Sequence, residues 1–385
     1  MLIAHLYPWD VIDAPKAVDA LIHHGVERVV LAAAYHSVRA ATPRHPQHRV
    51  VTAPSFGLYT ARSNSSAALP YADGWAGPDS FGRAKSLLEN AGLPVTAWIV
   101  LAHDADFGRA HPEATVINAY GDHYSYALCP SHPAVQERAA LITRAVFTKA
   151  ETDAVFFEAP GQLGFEHAGS HEKTQGADWS PAERSLLSLC FCEACRRRLG
   201  EVAEEAHHLI IDALQHPEDF HERFDALGNE VFDTRALAAS GLIEIATDAA
   251  KDAGVHDVSV LADPDPRVFG ATLSPHGPVR GVSNFILPAA LDENDISRLH
   301  ALASLTEGDV SIFVNFLDQP VEGLGAVLTR QFEGYCSAGV RDIHAYHFGL
   351  ASTRRGDIFA SAYRSASMTS TAVSRASVIQ QLGAT

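Results

Sequence analysis

The stretch Ala91-Gly-Leu-Pro94-Val95-Thr-Ala-Trp-Ile-Val-Leu101-Ala-His103-Asp104 holds the pattern that decides the fold. A helix tail ends at Gly92, the residue type that best tolerates a left-handed C-cap, and a two-residue turn leads into a continuous apolar run. That run, Val95–Leu101, carries no polar alternation, as expected of a strand covered on both faces in a parallel sheet. It then breaks into polar residues, His103-Asp104. Leu21-Ile-His-His-Gly25 introduces another strand in the same way.

Eight strand candidates of this kind run along the chain: Leu2–Tyr7, Arg28–Tyr35, Val95–Leu101, Ala154–Glu158, Asp257–Ala262, Gly281–Leu287, Val310–Leu317 and Asp342–Phe348. Alternation with helical patterns predicts an α/β fold, and eight units predict a (β/α)8 TIM barrel. A doubly wound open sheet is the alternative. Its glycine-rich phosphate turn is absent, since Tyr7-Pro8-Trp9-Asp10 follows the first strand. No linker or repeat divides residues 1–385, so one domain is expected. Two connections exceed ordinary loops, one after the second strand (36 to about 80) and one after the fourth (159 to about 254). The second is expected to be a largely helical insertion over about 160–253, with helices over Arg196–Gln215 and Pro217–Phe224.

Composition narrows the function classes. The chain has 385 residues, 47% hydrophobic and 19% charged, enough for a large core. A formal charge of −17 opposes binding to nucleic acid or to anionic lipid. The start, Met-Leu-Ile-Ala-His-Leu-Tyr-Pro, reads as a first strand rather than a signal peptide, and no apolar stretch is long enough to span a membrane. A cytoplasmic location is the expectation, and self-association into a homo-oligomer is left open.

Four of the five cysteines form a pattern: Cys129 alone, then Cys190, Cys192 and Cys195 in Leu-Cys-Phe-Cys-Glu-Ala-Cys. A C-x-C-x2-C cluster with one remote cysteine supplies the four thiolates of a closed tetrahedral Zn2+ site. Buried free thiols or disulfides are the alternatives; the first needs no clustering and the second suits a secreted chain. Cys336 reads as a small core residue on a helix, and His207, His208, His216 and His221 as solvated helix residues. No organic cofactor is expected.

In a barrel, active-site residues come from the C-terminal ends of strands, and those ends are polar here. They include Tyr35-His36, His103, Glu158, Asp263-Pro-Asp265, Asn315, Asp318 and Tyr346-His347, with Trp9, Tyr35, Phe157 and Phe348 as aromatic stacking surfaces. Such a rim suits a hydroxyl-rich ligand. Glu158 stands out, because an apolar strand delivers its carboxyl to the mouth among aromatics. Partial desolvation raises a carboxyl pKa, as a general acid at neutral pH requires. Its structural alternative is an ion pair with a rim arginine. A glycosidase needs a second carboxyl, and Asp263 and Asp318 are the candidates, Asp263 ranked slightly first for its shaped turn. The loop Gly164-Phe-Glu-His167-Ala-Gly-Ser-His171-Glu172-Lys173 adds His167, His171 and Glu172 as hydroxyl-binding candidates beside Trp9, Tyr35, His36, His103, Asn315 and His347.

Four segments resemble glycoside-hydrolase barrels: Val95-Thr-Ala-Trp-Ile-Val-Leu-Ala-His103, His111-Pro-Glu-Ala, Ala127-Leu-Cys-Pro-Ser-His-Pro133 and Asp153-Ala-Val-Phe-Phe-Glu158. The cysteine set is similar to the structural zinc site of family 42 β-galactosidases. The resemblance implies that Glu158 is the acid/base and that the substrate is a small glycoside or oligosaccharide. It covers roughly positions 1–200. Phe157 stands where that family has Asn before the acid/base, and Asn315 and Asp318 stand near the position of its nucleophile Glu. Two other readings come from other classes. One is a metal-dependent barrel hydrolase or isomerase using rim histidines, and the other a sugar-binding barrel without catalysis.

Overall fold

Eight parallel strands close on themselves in the computed structural model. The described residues form strands β1 (Leu2–Leu6), β2 (Arg28–Tyr35), β3 (Val38–Ala41), β4 (Val50–Ala53), β5 (Gly57–Leu58), β6 (Val95–Val100), β7 (Thr115–Ile117), β8 (His123–Leu128), β9 (Ala154–Glu158), β10 (Asp257–Leu261), β11 (Asn284–Pro288), β12 (Asp309–Asn315) and β13 (Ile343–Tyr346). The barrel runs β1-β2-β6-β9-β10-β11-β12-β13 and returns to β1 through Leu2↔Ile343 and Ala4↔Ala345. β5 adds an antiparallel strand to β2 at Ala34↔Leu58. The structure describes residues 1–385 except 64–68, 76, 162, 166, 168–172, 217–226 and 383–385, and leaves out the side chains of 175, 227 and 368–382. The expected helix over Pro217–Phe224, with His221, therefore lies outside the described residues.

β2 and β9 match their sequence ranges, and the other barrel strands shift by a few residues at their ends. The largest shift is in β11, where Thr272–Gly281 bends and turns before the chain extends at Asn284. Period-two alternation explains what each strand offers. His5, Trp98, Phe156, Phe313, His344 and Tyr346 gather inside the barrel, with His5 within 5.1 Å of both Trp98 and Phe156, ring to ring. The same alternation turns Val155 and Phe157 outward beneath the helices, where Phe157 is fully buried. Phe348 is also fully buried, packed on Phe316 and Phe359. Neither ring is available as a stacking surface for a ligand.

Excursions follow three of the barrel strands. After β2 the chain forms the β3–β4 hairpin, paired from Val38↔Ala53 to Ala41↔Val50. After β6 it forms a second hairpin, β7–β8, which the sequence reading did not single out. After β9 come helices Pro181–Leu187, Glu193–Leu199 and Ala203–Gln215. They bury Leu186, Leu189, Phe191, Leu199, Ala206 and Ile210 in a small second core. Helix Leu227–Asp252 joins the two cores: Val231 and Phe232 pack into the small one, and Leu242, Ile243 and Ala246 into the barrel's. Among the described residues no helix is long and apolar enough to cross a membrane.

Candidate active site

Glu158 is the last residue of β9, in register with Val100 of β6. Its position is held by the backbone that follows. Ala159 takes a left-handed conformation (φ 56°), tied by its N–H to the carbonyl of Ala271 at 3.0 Å. Left-handed backbone costs a non-glycine residue about 1 kcal/mol or more, so the surrounding contacts must hold it. Next to it, Gly161 passes so close to the chain that a Cβ there would stand 2.5 Å from the carbonyl oxygen of Thr272.

The carboxyl of Glu158 is half-buried in residue terms, yet burial pushes its pKa up to about 7. One hydrogen bond opposes this: the indole Nε1–H of Trp98 donates to Oε2 at 2.6 Å. Around it stand three tyrosines. The Tyr7 and Tyr35 hydroxyls are 3.2 Å apart, and Tyr346 bonds to both. Burial and the charge of Glu158 push Tyr346 up to about 12, so all three phenols are neutral at pH 7 and act as hydroxyl donors. Sequence reasoning did not select Trp98, Tyr7 or Tyr346. Their signal is positional: each sits an even number of residues from an inward-facing neighbour near the top of its strand.

The charge of Asp318 also helps push Tyr346 up. Asp318 is exposed just past β12, and its Oδ2 accepts from the Asn315 amide at 2.6 Å. Asp263 has different surroundings. It is 3% exposed, its Oδ1 accepts from the N–H of Asp265 at 3.0 Å, and its Oδ2 is held by the Arg298 guanidinium. Arg298 also binds Asp295 at 3.0 Å, whose carboxylate takes the N–H groups of Ala290 and Leu291 and the Tyr335 hydroxyl. That network saturates both oxygens of Asp263.

On the β2–β6 side the rim is built of imidazoles. The rings of His36 and His103 lie 4.0 Å apart, and those of His103 and His167 4.6 Å apart. Burial lowers all three, His36 to about 4 and His103 to about 2, so they are neutral at pH 7. Asp104, the polar residue after His103, is structural: it caps helix Ala105–Ala110 and pairs with buried Arg138. His171 and Glu172 lie outside the described residues. Trp9 is 1% exposed, because the tight turn Pro8–Asp10 folds it behind Tyr7, onto which it stacks at 4.6 Å. His347 is fully buried behind the same ring, 4.5 Å from Tyr7, and beside Asp10. Burial raises Asp10 to about 7 and lowers His347 to about 3.

The four cysteines converge. Cys129, at the end of the β7–β8 hairpin, places its Sγ 3.4 Å from that of Cys195 and 3.6 Å from that of Cys192. Their sulfurs, with that of Cys190, lie within 4.8 Å of one another, buried and not bonded as disulfides. Tetrahedral Zn–S bonds of about 2.3 Å require sulfurs about 3.8 Å apart, so the set fits one ion. Backbone N–H groups of Ile117, Cys192 and Cys195 point at these sulfurs at 3.4–3.5 Å, as thiolates require. Among the described residues one other group is close enough for a shared ion, Glu204, His207 and His208. It is at the surface, Glu204 pairs with Arg196, and the Nε2 of His207 bonds the Ala119 carbonyl. The nitrogens of His36, His103 and His167 do not gather around one point.

No protein-family model and no curated protein matches the chain. Solved structures do match its fold. A β-galactosidase from the psychrophilic Marinomonas ef1 superposes with a TM-score of 0.56 at 9% identity over 97% of this chain and 60% of its own. The PgaB (BpsB) glycoside hydrolase domain from Bordetella bronchiseptica gives 0.51 at 16% identity over 94% of this chain and 98% of its own. An α-L-fucosidase, isoenzyme 2, from Paenibacillus thiaminolyticus gives 0.50 at 11% identity over 94% of this chain and 48% of its own. The chain thus spans about half to three-fifths of two of these proteins and nearly all of the third. Likeness at such identities shows the fold alone, the closed eight-stranded barrel.

Proposed function

We propose that this chain is a glycoside hydrolase acting on a small glycoside or oligosaccharide, with Glu158 as its general acid/base. The observation that carries the reading is the state of Glu158: a carboxyl at the mouth of the barrel, raised to about 7 by burial, bonded to a neutral indole rather than to a cation. A protonated carboxyl near neutral pH can give its proton to a leaving glycosidic oxygen and recover it from water. The barrel shared with three solved glycosidase structures supports the same class.

Asp318 is the better partner carboxyl. It lies at the rim next to Tyr346, whereas Asp263 is neutralised by Arg298. Tyr7, Tyr35 and Tyr346 donate to the reacting sugar, and neutral His36, His103 and His167 donate or accept at its hydroxyls. Trp9 and His347 act from behind Tyr7 by fixing its ring.

The four thiolates hold a structural Zn2+ that joins the loops following β6 and β9, the two strands that supply Trp98 and Glu158. The ion fixes these loops and takes no part in the chemistry. We take residues 1–385 as one domain and its setting as the cytoplasm, the reducing compartment in which clustered cysteines more commonly hold a metal than form disulfides.

The reading is tested by product release from a panel of aryl glycosides and neutral oligosaccharides, wild type against Glu158→Gln. Turnover in the wild type that falls about a hundredfold or more in the variant supports it. Turnover that survives the substitution removes Glu158 from the chemistry.

A further inference from the structure

The excursion after β2 encloses a cavity of about 250 Å³ outside the ring of residues around Glu158. Its walls are Trp9, His48, Tyr59, Asp73 and Trp75, with strand β4 along one side. The Trp75 indole stacks flat on the His48 imidazole, 4.2 Å apart and 9° from parallel. Trp9 and Tyr59 meet edge to face at 5.6 Å. His45 anchors this corner: its Nε2 bonds the carbonyl of Ile12 at 2.9 Å and its Nδ1 accepts from the N–H groups of Gln47 and His48. The walls are therefore held before any ligand arrives.

The chemistry of the lining selects a neutral, hydroxylated ring. The face of Trp75 that does not stack on His48 takes the C–H face of a sugar, and Trp9 and Tyr59, each 1% exposed, close the wall behind it. The Asp73 carboxylate, the Thr52 and Ser55 hydroxyls and the open backbone edge of β4, which pairs with β3 alone among the described residues, accept or donate at its hydroxyls. Among the described residues no lysine or arginine lines the cavity, so it offers a phosphate or carboxylate no cation. Beneath the wall, the Trp9 Nε1–H and the Tyr59 hydroxyl have no hydrogen-bond partner among the described residues.

A wall of stacked rings separates this cavity from the acid. Trp98, which bonds Glu158, lies 6.0 Å from Tyr7 and 9° from parallel; Tyr7 lies 4.6 Å from Trp9; and Trp9 walls the cavity. We propose that the cavity binds a second sugar unit of the substrate, so that the enzyme acts on neutral oligosaccharides in preference to single-sugar glycosides. This rests on the glycosidase reading above.

The test compares wild type with Trp75→Ala and Asp73→Asn, each checked by thermal melting, on aryl monoglycosides and on gluco-, galacto-, xylo- and chito-oligosaccharides of two to five units. The expected result is a kcat/KM preference for the longer substrates that Trp75→Ala reduces about tenfold, the worth of one stacked ring, with aryl monoglycoside turnover unchanged. Equal losses on short and long substrates, or none, overturn the proposal. If no substrate turns over, calorimetric titration with the same oligosaccharides separates the two claims. Binding that Trp75→Ala abolishes and Glu158→Gln retains upholds the cavity without the enzyme; no binding, or binding indifferent to Trp75, overturns it.

Discussion

Glu158 ends β9, Asp263 lies two residues past the end of neighbouring β10, and the two have opposite surroundings. Glu158 finds burial, one indole N–H and a ring of phenols, and holds its proton near neutrality. Asp263 finds a guanidinium that is itself clamped to Asp295, plus a backbone N–H, and both oxygens are used. Desolvation without a cation makes an acid; an ion pair with its hydrogen bonds satisfied makes a brace. Two carboxyls at one rim of the barrel are thus divided between reaction and architecture by what stands opposite each.

Substitution separates the two roles. Glu158→Gln is expected to lower kcat/KM by about a hundredfold or more while the fold gains stability at neutral pH. The sign follows from linkage. The folded-state pKa of Glu158 is raised above that of an unfolded Glu, about 4.3, so the native chain binds the proton more tightly and loses stability as pH rises from there to about 7. Gln removes that loss, which urea titrations at pH 5 and 8 would measure. Cys192→Ser is expected to release about one zinc per chain, read by metal analysis, and to lower Tm by more than about 5 °C. The loops it loosens carry the neighbours of Glu158, so a variant with full zinc and unchanged Tm contradicts the four-thiolate site.

Asp263→Asn comes next. Leaving Arg298 short of one partner should cost about 2 kcal/mol in denaturant unfolding, below the value for a fully buried pair because Arg298 is partly exposed. The folded variant should keep its turnover; a hundredfold loss with little change in stability would reverse the roles assigned to the two carboxyls. The smallest effect is expected from Trp98→Phe. Removing the single bond that favours the charged form raises Glu158 further and shifts the alkaline limb of the pH–rate profile upward. The rate changes by about fivefold, the worth of one hydrogen bond.

The barrel was legible because parallel strands covered on both faces read as unbroken apolar runs, and β9 shows it: Ala-Val-Phe-Phe ends in a carboxyl at the rim. The hairpins β3–β4 and β7–β8 were not, since short two-stranded ribbons leave only a few alternating residues, as in His123–Leu128. Trp98 reads as core inside an apolar run, and only the register Val100↔Glu158 brings its indole to the carboxyl. The fate of Asp263 depends on Arg298 from a separate helix, a pairing no local pattern encodes. Trp9 reads as a platform after a strand, but Asp10 accepts the Tyr7 N–H at 2.7 Å and turns the chain so that the indole faces inward.

The most direct measurement is a difference infrared titration of the protonated carboxyl band, wild type minus Glu158→Gln, from pH 4 to 9. The subtraction cancels Asp10, which burial also raises to about 7. A band lost in the variant and titrating near pH 7 in the wild type is the predicted result. A difference band with its midpoint near pH 4 would show that Glu158 is an ordinary carboxylate and would contradict its role as the acid.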